Sequence, residues 1–338
     1  MNDARTNELV DKTVACLYGG QSSEREISLL SGAGIAEALE QVTDGRGPAR
    51  TVRVEIDAEG AWRLDGDAYE PTEAVRRAGA DVWFLGLHGG DGEDGGTQAF
   101  LEQLAEAYTG SGPRASALAM NKFAATATVQ RAGLSVPRGR LARRESLDHL
   151  ERFDAIRSSL GWFVKPNFGG SSVGAGLARD RTQLEARLTE ALEFDEFVLV
   201  EEAIEGVEAS VGVLDFVGSE PRSLPPVEIR PRESAFFDYE EKYSESGAIE
   251  LCPPAAFDAS ICQSLERAAL EAHRTLGLTA YSRSDFLVVD TEVIFLEANT
   301  LPGFTARSLV PNEARVEGIS YRELCLAIAV DGHRRGRR

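Results

Sequence analysis

Short apolar segments alternate with helical segments over the first 112 residues of this 338-residue chain. Val14–Tyr18 is an apolar run that two glycines end, and a pattern of small and apolar residues at helical spacing follows it. Val82–Leu87 is a second apolar run, followed by the glycine-rich stretch His88–Gly96 and another helical pattern. Strands that alternate with helices predict a parallel sheet, whose ligands bind beyond the carboxyl ends of the strands. Glu24 and His88 lie in the loops at that predicted edge.

Local signals predict where several elements begin and end. Ser23 and Glu26 fit the capping box, which predicts that the first helix begins there. The turn signal at Gly110–Pro113 ends the first unit, and a helix is predicted over Leu118–Gln130. The basic tail His333–Arg338 is expected to be a solvated, frayed end.

The charge of the chain limits its partners. There are 55 acidic and 36 basic residues, a net charge of −19, which argues against nucleic acid or an anionic membrane as partner. No apolar run approaches the roughly 18 residues of a membrane span, and the first residues lack the apolar core of a secretory signal. We therefore expect a cytoplasmic protein. The four cysteines are too scattered for a zinc site or a disulfide framework, so we expect reduced thiols.

The predicted hairpin between residues 281 and 298 carries a polar face. Side chains alternate along a strand, so Arg283 and Asp285 share one face, and Glu297 and Asn299 share a face of the next strand. Two carboxylates and an amide oxygen that converge across the pair are hard ligands, which suit Mg²⁺ bridging substrate phosphates. A solvated strand face is the alternative. The apolar neighbours in both strands favour the metal site, because unpaired buried carboxylates are costly.

Two further segments are compatible with a nucleotide. Lys165–Gly174 is a strand end followed by a glycine-serine loop, in which successive N–H groups can surround phosphates, although the loop lacks the Walker ending. An ordinary flexible turn explains this loop equally well. Val198–Glu202 followed by Glu208 offers acceptors for a nucleoside, and it is equally compatible with an exposed strand.

Seven segments, in order along nearly the whole chain, together resemble D-alanine–D-alanine ligases, a branch of the ATP-grasp superfamily. They are LYGGQSSEREISLLSG (Leu17–Gly32), LHGGDGEDGGTQ (Leu87–Gln98), YTGSGPRASALAMNK (Tyr108–Lys122), VKPNFGGSSVG (Val164–Gly174), FFDYEEKY (Phe236–Tyr243), SRSDF (Ser282–Phe286) and LEANTLPGFTARSLVP (Leu296–Pro311).

The resemblance implies a fold of α/β and α+β type. It is a three-domain ATP-grasp fold with an N-terminal Rossmann-like domain over residues 1–112, a central domain over 113–202 and a C-terminal domain over 203–338. ATP would lie between the last two domains, and the amino acids would lie where all three meet. The resemblance also implies a homodimer.

The resemblance further implies a nucleotide set and a metal set. The residues matching the ATP-binding positions are Lys122, Lys165, Glu201, Glu208 and Lys242. The residues matching the ligands of two Mg²⁺ (or Mn²⁺) ions are Asp285, Glu297 and Asn299. Glu202 departs from the common pattern, because many relatives carry lysine there.

The activity implied is joining two D-alanines through a D-alanyl phosphate, for peptidoglycan precursors. The catalytic positions are Glu24, Ser171, Tyr243, Arg283 and Gly303, and the substrate-binding positions are Glu24, His88, Arg283, Ser308 and Leu309. A neutral tyrosine at Tyr243 favours an amine over a hydroxy acid as second substrate. The alternative is an ATP-grasp ligase that joins other amino acids, or D-alanine to a hydroxy acid, in secondary metabolism.

Overall fold

The computed structural model describes residues 8–41, 45–170, 173–230 and 249–336. Three sheets follow one another along these residues, and the predicted Ser171, Lys242 and Tyr243 lie outside the described ranges. No helix within those ranges is both long enough and apolar enough to span a membrane.

The first sheet has five strands in the order β4-β3-β2-β1-β5. Strand β1 pairs in parallel with β2 and β5, as the alternating pattern predicted, and its inward residues are fully buried. The antiparallel strands β3 and β4 extend the sheet at one edge. The strands are Thr13–Gly19 (β1), Arg50–Ile56 (β2), Trp62–Leu64 (β3), Asp67–Tyr69 (β4) and Val82–Leu85 (β5).

The other two sheets are antiparallel and face the cavity described below. The four-stranded sheet has the order β6-β9-β7-β8, with strands Gly139–Ala142 (β6), Trp162–Pro166 (β7), Gly176–Ala178 (β8) and Val198–Glu202 (β9). The six-stranded sheet has the order β13-β12-β10-β14-β15, with β11 paired to β10. Its strands are Val207–Asp215 (β10), Arg222–Ser223 (β11), Val227–Arg230 (β12), Ile249–Leu251 (β13), Ala280–Val289 (β14) and Glu292–Asn299 (β15).

Helices cover the outer faces of the sheets. They are Arg25–Glu40 (α1), Pro71–Ala78 (α2), Gly96–Gln103 (α3), Pro113–Met120 (α4), Lys122–Arg131 (α5), Arg181–Ala191 (α6), Ala259–Thr275 (α7), Leu309–Val316 (α8) and Tyr321–Gly336 (α9). Two 3₁₀ segments lie at Gly90–Gly92 and Arg144–Ile156.

The hydrophobic cores do not follow chain order. Helices α8 and α9, at the far end of the chain, share one core with the first sheet. Helices α4 and α5 share a second core with the six-stranded sheet and α7, whereas α6 packs on the four-stranded sheet in a third. The domain limits at residues 112 and 202 stay a prediction.

Three local predictions were wrong. The first helix begins at Arg25 behind Glu24, and no side chain caps it, so Ser23 and Glu26 form no capping box. The helix predicted over Leu118–Gln130 is two helices, because Asn121 leaves helical geometry and caps α5. The tail is not frayed up to Gly336, since His333 is buried within α9.

Candidate active site

A cavity of about 680 Å³ lies between the four-stranded and six-stranded sheets. Strands of both sheets line it, and the N-terminal end of α5 contributes Lys122. Six of the predicted nucleotide and metal residues line this one cavity: Lys122, Lys165, Glu201, Glu208, Asp285 and Glu297. The loop after β7 contributes Gly169 and Gly170. Residues that are more than 170 positions apart in sequence thus share a single space.

Each cavity lysine is paired with a carboxylate. Lys165 Nζ lies 2.8 Å from Glu201 Oε2, and both side chains are nearly buried. Lys122 Nζ lies 3.0 Å from Glu297 Oε2 and also donates to the Gly169 carbonyl at 2.7 Å. Burial by itself lowers the pKa of the Lys122 ammonium, but the charge and hydrogen bond of Glu297 raise it overall. Both lysines are therefore already positioned by a carboxylate partner.

The polar face of the hairpin is confirmed by the strand register. Asp285 pairs with Glu297, and Arg283 pairs with Asn299, across β14 and β15. A bulge follows Asp285, a distortion that re-aims side chains and is frequent beside active sites. Within the described ranges, no three His, Cys, Asp or Glu side chains cluster as a metal site, so the predicted set rests on two carboxylates and the Asn299 amide.

Asp285 accepts hydrogen bonds from three side chains. Arg283 donates to both of its oxygens, at 2.9 and 2.7 Å, and Asn299 Nδ2 donates at 3.1 Å. The buried hydroxyl of Ser210, opposite Asp285 on β10, donates at 2.6 Å. Sequence reasoning missed Ser210, because nothing in the sequence predicts that β10 pairs with β14.

Glu24 lies against two glycine loops. A β-carbon at Gly89 would come within 2.5 Å of Glu24 Oε2, and one at Gly170 within 2.7 Å. Gly89 also has a φ of 63°, which glycine adopts without strain. The Ser22 hydroxyl donates to the His88 carbonyl at 2.6 Å and fixes this approach. The Glu24 carboxylate therefore sits where the first sheet meets the loop that lines the cavity.

His88 is buried and joins three segments. Its Nδ1 lies 2.8 Å from the Leu301 carbonyl, which requires Nδ1 to donate, so Nε2 accepts from the Ser31 hydroxyl at 2.8 Å. Ser31 Oγ in turn accepts from the Phe304 N–H at 3.1 Å. Burial lowers the pKa of His88, which agrees with a neutral ring. His88 thereby fixes the segment that contains Gly303.

Glu93 is a buried carboxyl that sequence reasoning missed. It accepts hydrogen bonds from the N–H of Gly89 at 2.9 Å and of Leu301 at 3.0 Å. Burial, and next the charge of Glu24, raise its pKa to about 7. Glu93 lies inside a glycine loop whose backbone N–H groups need acceptors, and this was the signal in the sequence that points to it.

The predicted pair Ser308 and Leu309 lies at the start of α8. Ser308 Oγ accepts from the Thr305 N–H at 3.0 Å and lies 2.9 Å from the Thr305 hydroxyl, closing a small turn. A β-carbon at Gly303 would meet Ser308 Oγ at 3.4 Å, so the two predicted residues are neighbours. Neither they nor His88 line the cavity.

The departure at Glu202 has a structural explanation. Arg138 donates to the Glu202 carboxylate at 2.7 and 3.0 Å, and the Arg138 N–H donates at 2.9 Å. These bonds outweigh partial burial and lower the pKa of Glu202. The acid is neutralised by an arginine at the rim of the cavity. We have no structural account of Arg307, whose side chain is exposed.

Comparison with known proteins gives concordant matches. The family model described as D-ala D-ala ligase C-terminus matches residues 128–329. The D-alanine–D-alanine ligase B of Chromobacterium violaceum is 38% identical over 318 residues, covering 93% of this chain and 96% of that protein. The D-alanine–D-alanine ligase of Geotalea uraniireducens is 39% identical over 319 residues, covering 94% of both.

Solved structures agree with these matches. The D-Ala:D-Ser ligase VanG of Enterococcus faecalis superposes with a TM-score of 0.80 at 28% identity, covering 94% of this chain and 98% of that one. The D-alanine–D-alanine ligase of Bacillus anthracis complexed with ATP superposes with a TM-score of 0.76 at 27% identity, covering 96% and 99%.

Two antiparallel sheets that enclose a cavity lined by lysines and carboxylates, beside a parallel sheet, define an ATP-grasp protein, as the sequence predicted. Given the family match over most of its length and relatives near 38% identity, the chain belongs to the D-alanine–D-alanine ligase family.

Proposed function

We propose that this chain joins two D-alanines into D-alanyl-D-alanine at the expense of ATP, for peptidoglycan precursors. One observation carries the proposal: the lysines and the hairpin carboxylates line the same cavity, and Glu24 lies beside the loop that borders it. The family relationship supports the same reaction.

The nucleotide would lie between the two antiparallel sheets. Lys122 and Lys165 would contact its phosphates, exchanging Glu297 and Glu201 for phosphate oxygens, with the N–H groups of the loop at Gly169 and Gly170 nearby. Glu201 and Glu208 would face the adenine and ribose. Lys242, predicted to contact the γ-phosphate, lies outside the described residues.

The donors of the hairpin fit Mg²⁺ or Mn²⁺. Asp285 and Glu297 are cross-strand partners and Asn299 contacts Asp285, so three hard oxygen donors share one face. When bound, the ions would neutralise charge on the phosphoryl group in transfer. Arg283 and Ser210 keep Asp285 in the orientation that this role needs.

The reaction would proceed in two steps. A carboxylate oxygen of the first D-alanine attacks the γ-phosphorus, ADP leaves, and an acyl phosphate forms. The amine of the second D-alanine then attacks the acyl carbon, the carbon–oxygen bond to phosphate breaks, and phosphate leaves with the proton that the nitrogen loses. Arg283 and the Gly303 N–H would stabilise the oxygen that becomes negative, at about 3–4 kcal/mol for one well-placed donor.

Glu24 would hold the ammonium group of the first D-alanine, and Ser308 and Leu309 would bind the carboxylate of the second. His88 and Glu93 both bond to Leu301, so their contribution is to fix the segment leading to Gly303. The family resemblance predicts that Tyr243 and Ser171, which lie outside the described ranges, act with Glu24 to exclude water from the acyl phosphate. The homodimer and the cytoplasmic location stay predictions.

Phosphate release from ATP and Mg²⁺ tests the proposal, measured with D-alanine, L-alanine, D-serine or D-lactate and with products identified by mass. We expect release and D-alanyl-D-alanine with D-alanine alone. A product only when D-serine or D-lactate is added to D-alanine would assign a different second substrate. No release with any of them would refute ligase activity.

A further inference from the structure

A buried carboxyl joins helix α8 to the strand beside Arg283. Glu313 lies one turn after Leu309 in α8 and is fully buried. Its Oε2 accepts a hydrogen bond from the Gly212 N–H at 2.8 Å. Gly212 belongs to β10 and is the cross-strand partner of Arg283 in β14. One side chain thus connects the helix that begins at Ser308 with the centre of the six-stranded sheet.

The absence of a side chain at Gly212 makes this contact possible. A β-carbon there would overlap Oε2 of Glu313, and it would lie 3.0 Å from Leu224 and 3.3 Å from Val310. Glycine inside a strand weakens the strand, and it commonly marks a place where another group must approach the backbone closely. The φ of Gly212 is not positive, so backbone conformation does not require glycine there. Glycine is required because Glu313 occupies the space of a side chain.

Burial favours the neutral form of this carboxyl. Burial raises the pKa of Glu313 well above its ordinary value, and the hydrogen bond from Gly212 and the charge of Arg283 only partly oppose this. In the described part of the chain, Oε1 of Glu313 has no hydrogen-bond partner. A glutamine amide has the same shape and keeps one acceptor oxygen, so it should replace this group.

We propose that Glu313 is a positioning residue for the second amino acid, because it fixes the start of α8 relative to Arg283. The proposal rests on the proposed function, in which Ser308 and Leu309 bind the carboxylate of that amino acid and Arg283 stabilises the reacting oxygen. A shift of α8 would separate these two binding groups while leaving the nucleotide cavity intact, since α8 does not line it.

The central comparison is between Glu313→Leu and Glu313→Gln. Leucine has a side chain of similar size but no acceptor, so the Gly212 N–H loses its partner. Glutamine keeps the acceptor. Dipeptide formation is measured against D-alanine concentration at saturating ATP, and the constants for the first and second D-alanine are resolved. With leucine we expect the second constant to rise about tenfold, as one unsatisfied buried N–H implies. With glutamine it should stay within about twofold.

Two further variants test the geometry. Gly212→Ala should raise the second constant by itself, because its methyl group forces Glu313 away. When Gly212→Ala is combined with Glu313→Ala, the second constant should rise by less than the product of the two single fold-increases, since the overlap is then removed. Val316→Ala, on an exposed position of the same helix, is the matched control and should change neither constant.

The outcomes separate the two proposals. An unchanged ATP KM and first D-alanine constant beside a raised second constant supports positioning. Equal losses in kcat, ATP KM and both D-alanine constants, or equal effects of leucine and glutamine, would overturn it. If unmodified protein forms no dipeptide, the proposed function fails first. If Glu313→Leu does not fold, Gly212→Ala and the glutamine variant still decide.

Discussion

At the scale of single residues, the two described lysines of the cavity are each paired with a carboxylate. Lys165 with Glu201 and Lys122 with Glu297 are close pairs with little solvent exposure. Removing one member of a buried pair leaves an uncompensated charge, which costs more than the pair itself contributes. Phosphate can replace the carboxylate as partner of a lysine. The proposed role of the lysines in ATP binding can therefore be separated from their contribution to folding.

Lys165→Met should weaken ATP binding and lower the free energy of unfolding by about 3–5 kcal/mol, because the Glu201 carboxylate loses its cation. Urea unfolding and titration with ATP measure the two effects. Adding Glu201→Gln should restore part of the stability without restoring ATP binding. A double variant as unstable as Lys165→Met would contradict the pairing argument.

Glu24→Gln should weaken binding of the first D-alanine by about tenfold or more, the amount that a hydrogen bond to a charged group contributes, while ATP binding stays near normal. The D-alanine and ATP concentration dependences of phosphate release measure this. Glu26→Gln, an exposed position two residues along, is the matched control. An unchanged first D-alanine constant in Glu24→Gln would remove the assignment.

At the scale of elements, the predicted metal site lies on the hairpin β14–β15. Asp285→Asn together with Glu297→Gln should lower turnover in Mg²⁺ by at least about a hundredfold, since metal stabilisation of the transition state is worth several kcal/mol. Glu292→Gln, on the same β15 but exposed, should leave turnover unchanged. Full activity of the double variant would refute the metal site.

The break between α4 and α5 places Lys122. Asn121 Oδ1 caps α5 by accepting from the Ala124 N–H at 3.0 Å, and it also accepts from Asn167 Nδ2 at 3.0 Å. Asn121→Ala should cost about 1 kcal/mol of stability and should also raise the ATP KM. Asp180→Ala removes the cap of α6, away from Lys122, so it should cost similar stability with an unchanged ATP KM. Equal ATP KM values in the two variants would contradict this role.

The success of sequence-based prediction differed between elements for physical reasons. The faces of the hairpin strands were predictable because a period of two fixes which side chains share a face. The bulge after Asp285 was not predicted, and this register shift is what places Glu297 opposite Asp285. The break at Asn121 was not, because the alanines on both sides favour helix throughout. Buried Glu93 and Glu313 were also missed, because the N–H groups of Leu301 and Gly212 that bond to them lie far away in the sequence.

At the scale of the whole molecule, Glu313 should make folding stability depend on pH. Its pKa is raised in the folded protein, so the unfolded chain releases the proton first, and stability falls as pH rises from about 4.5 through the folded value. Arg283, Asp285 and Glu250 are the charged groups that act on it.

Glu313→Gln removes this loss. Its thermal stability relative to the unmodified protein should therefore increase between pH 5 and pH 8, as differential scanning calorimetry can measure. A difference that is independent of pH would mean that the carboxyl is ionised in the folded protein.

The sharing of one core by the first sheet and α9 has a consequence for synthesis of the protein on the ribosome. Strands β1 and β5 are complete by residue 85, yet Leu324, Ile328 and Val330, which cover their apolar surface, emerge more than 200 residues later. At about 5–20 residues per second, the nascent chain exposes that surface for tens of seconds or less, depending on the rate. During this interval the uncovered apolar surface of the N-terminal sheet is open to non-native contacts, which favours aggregation.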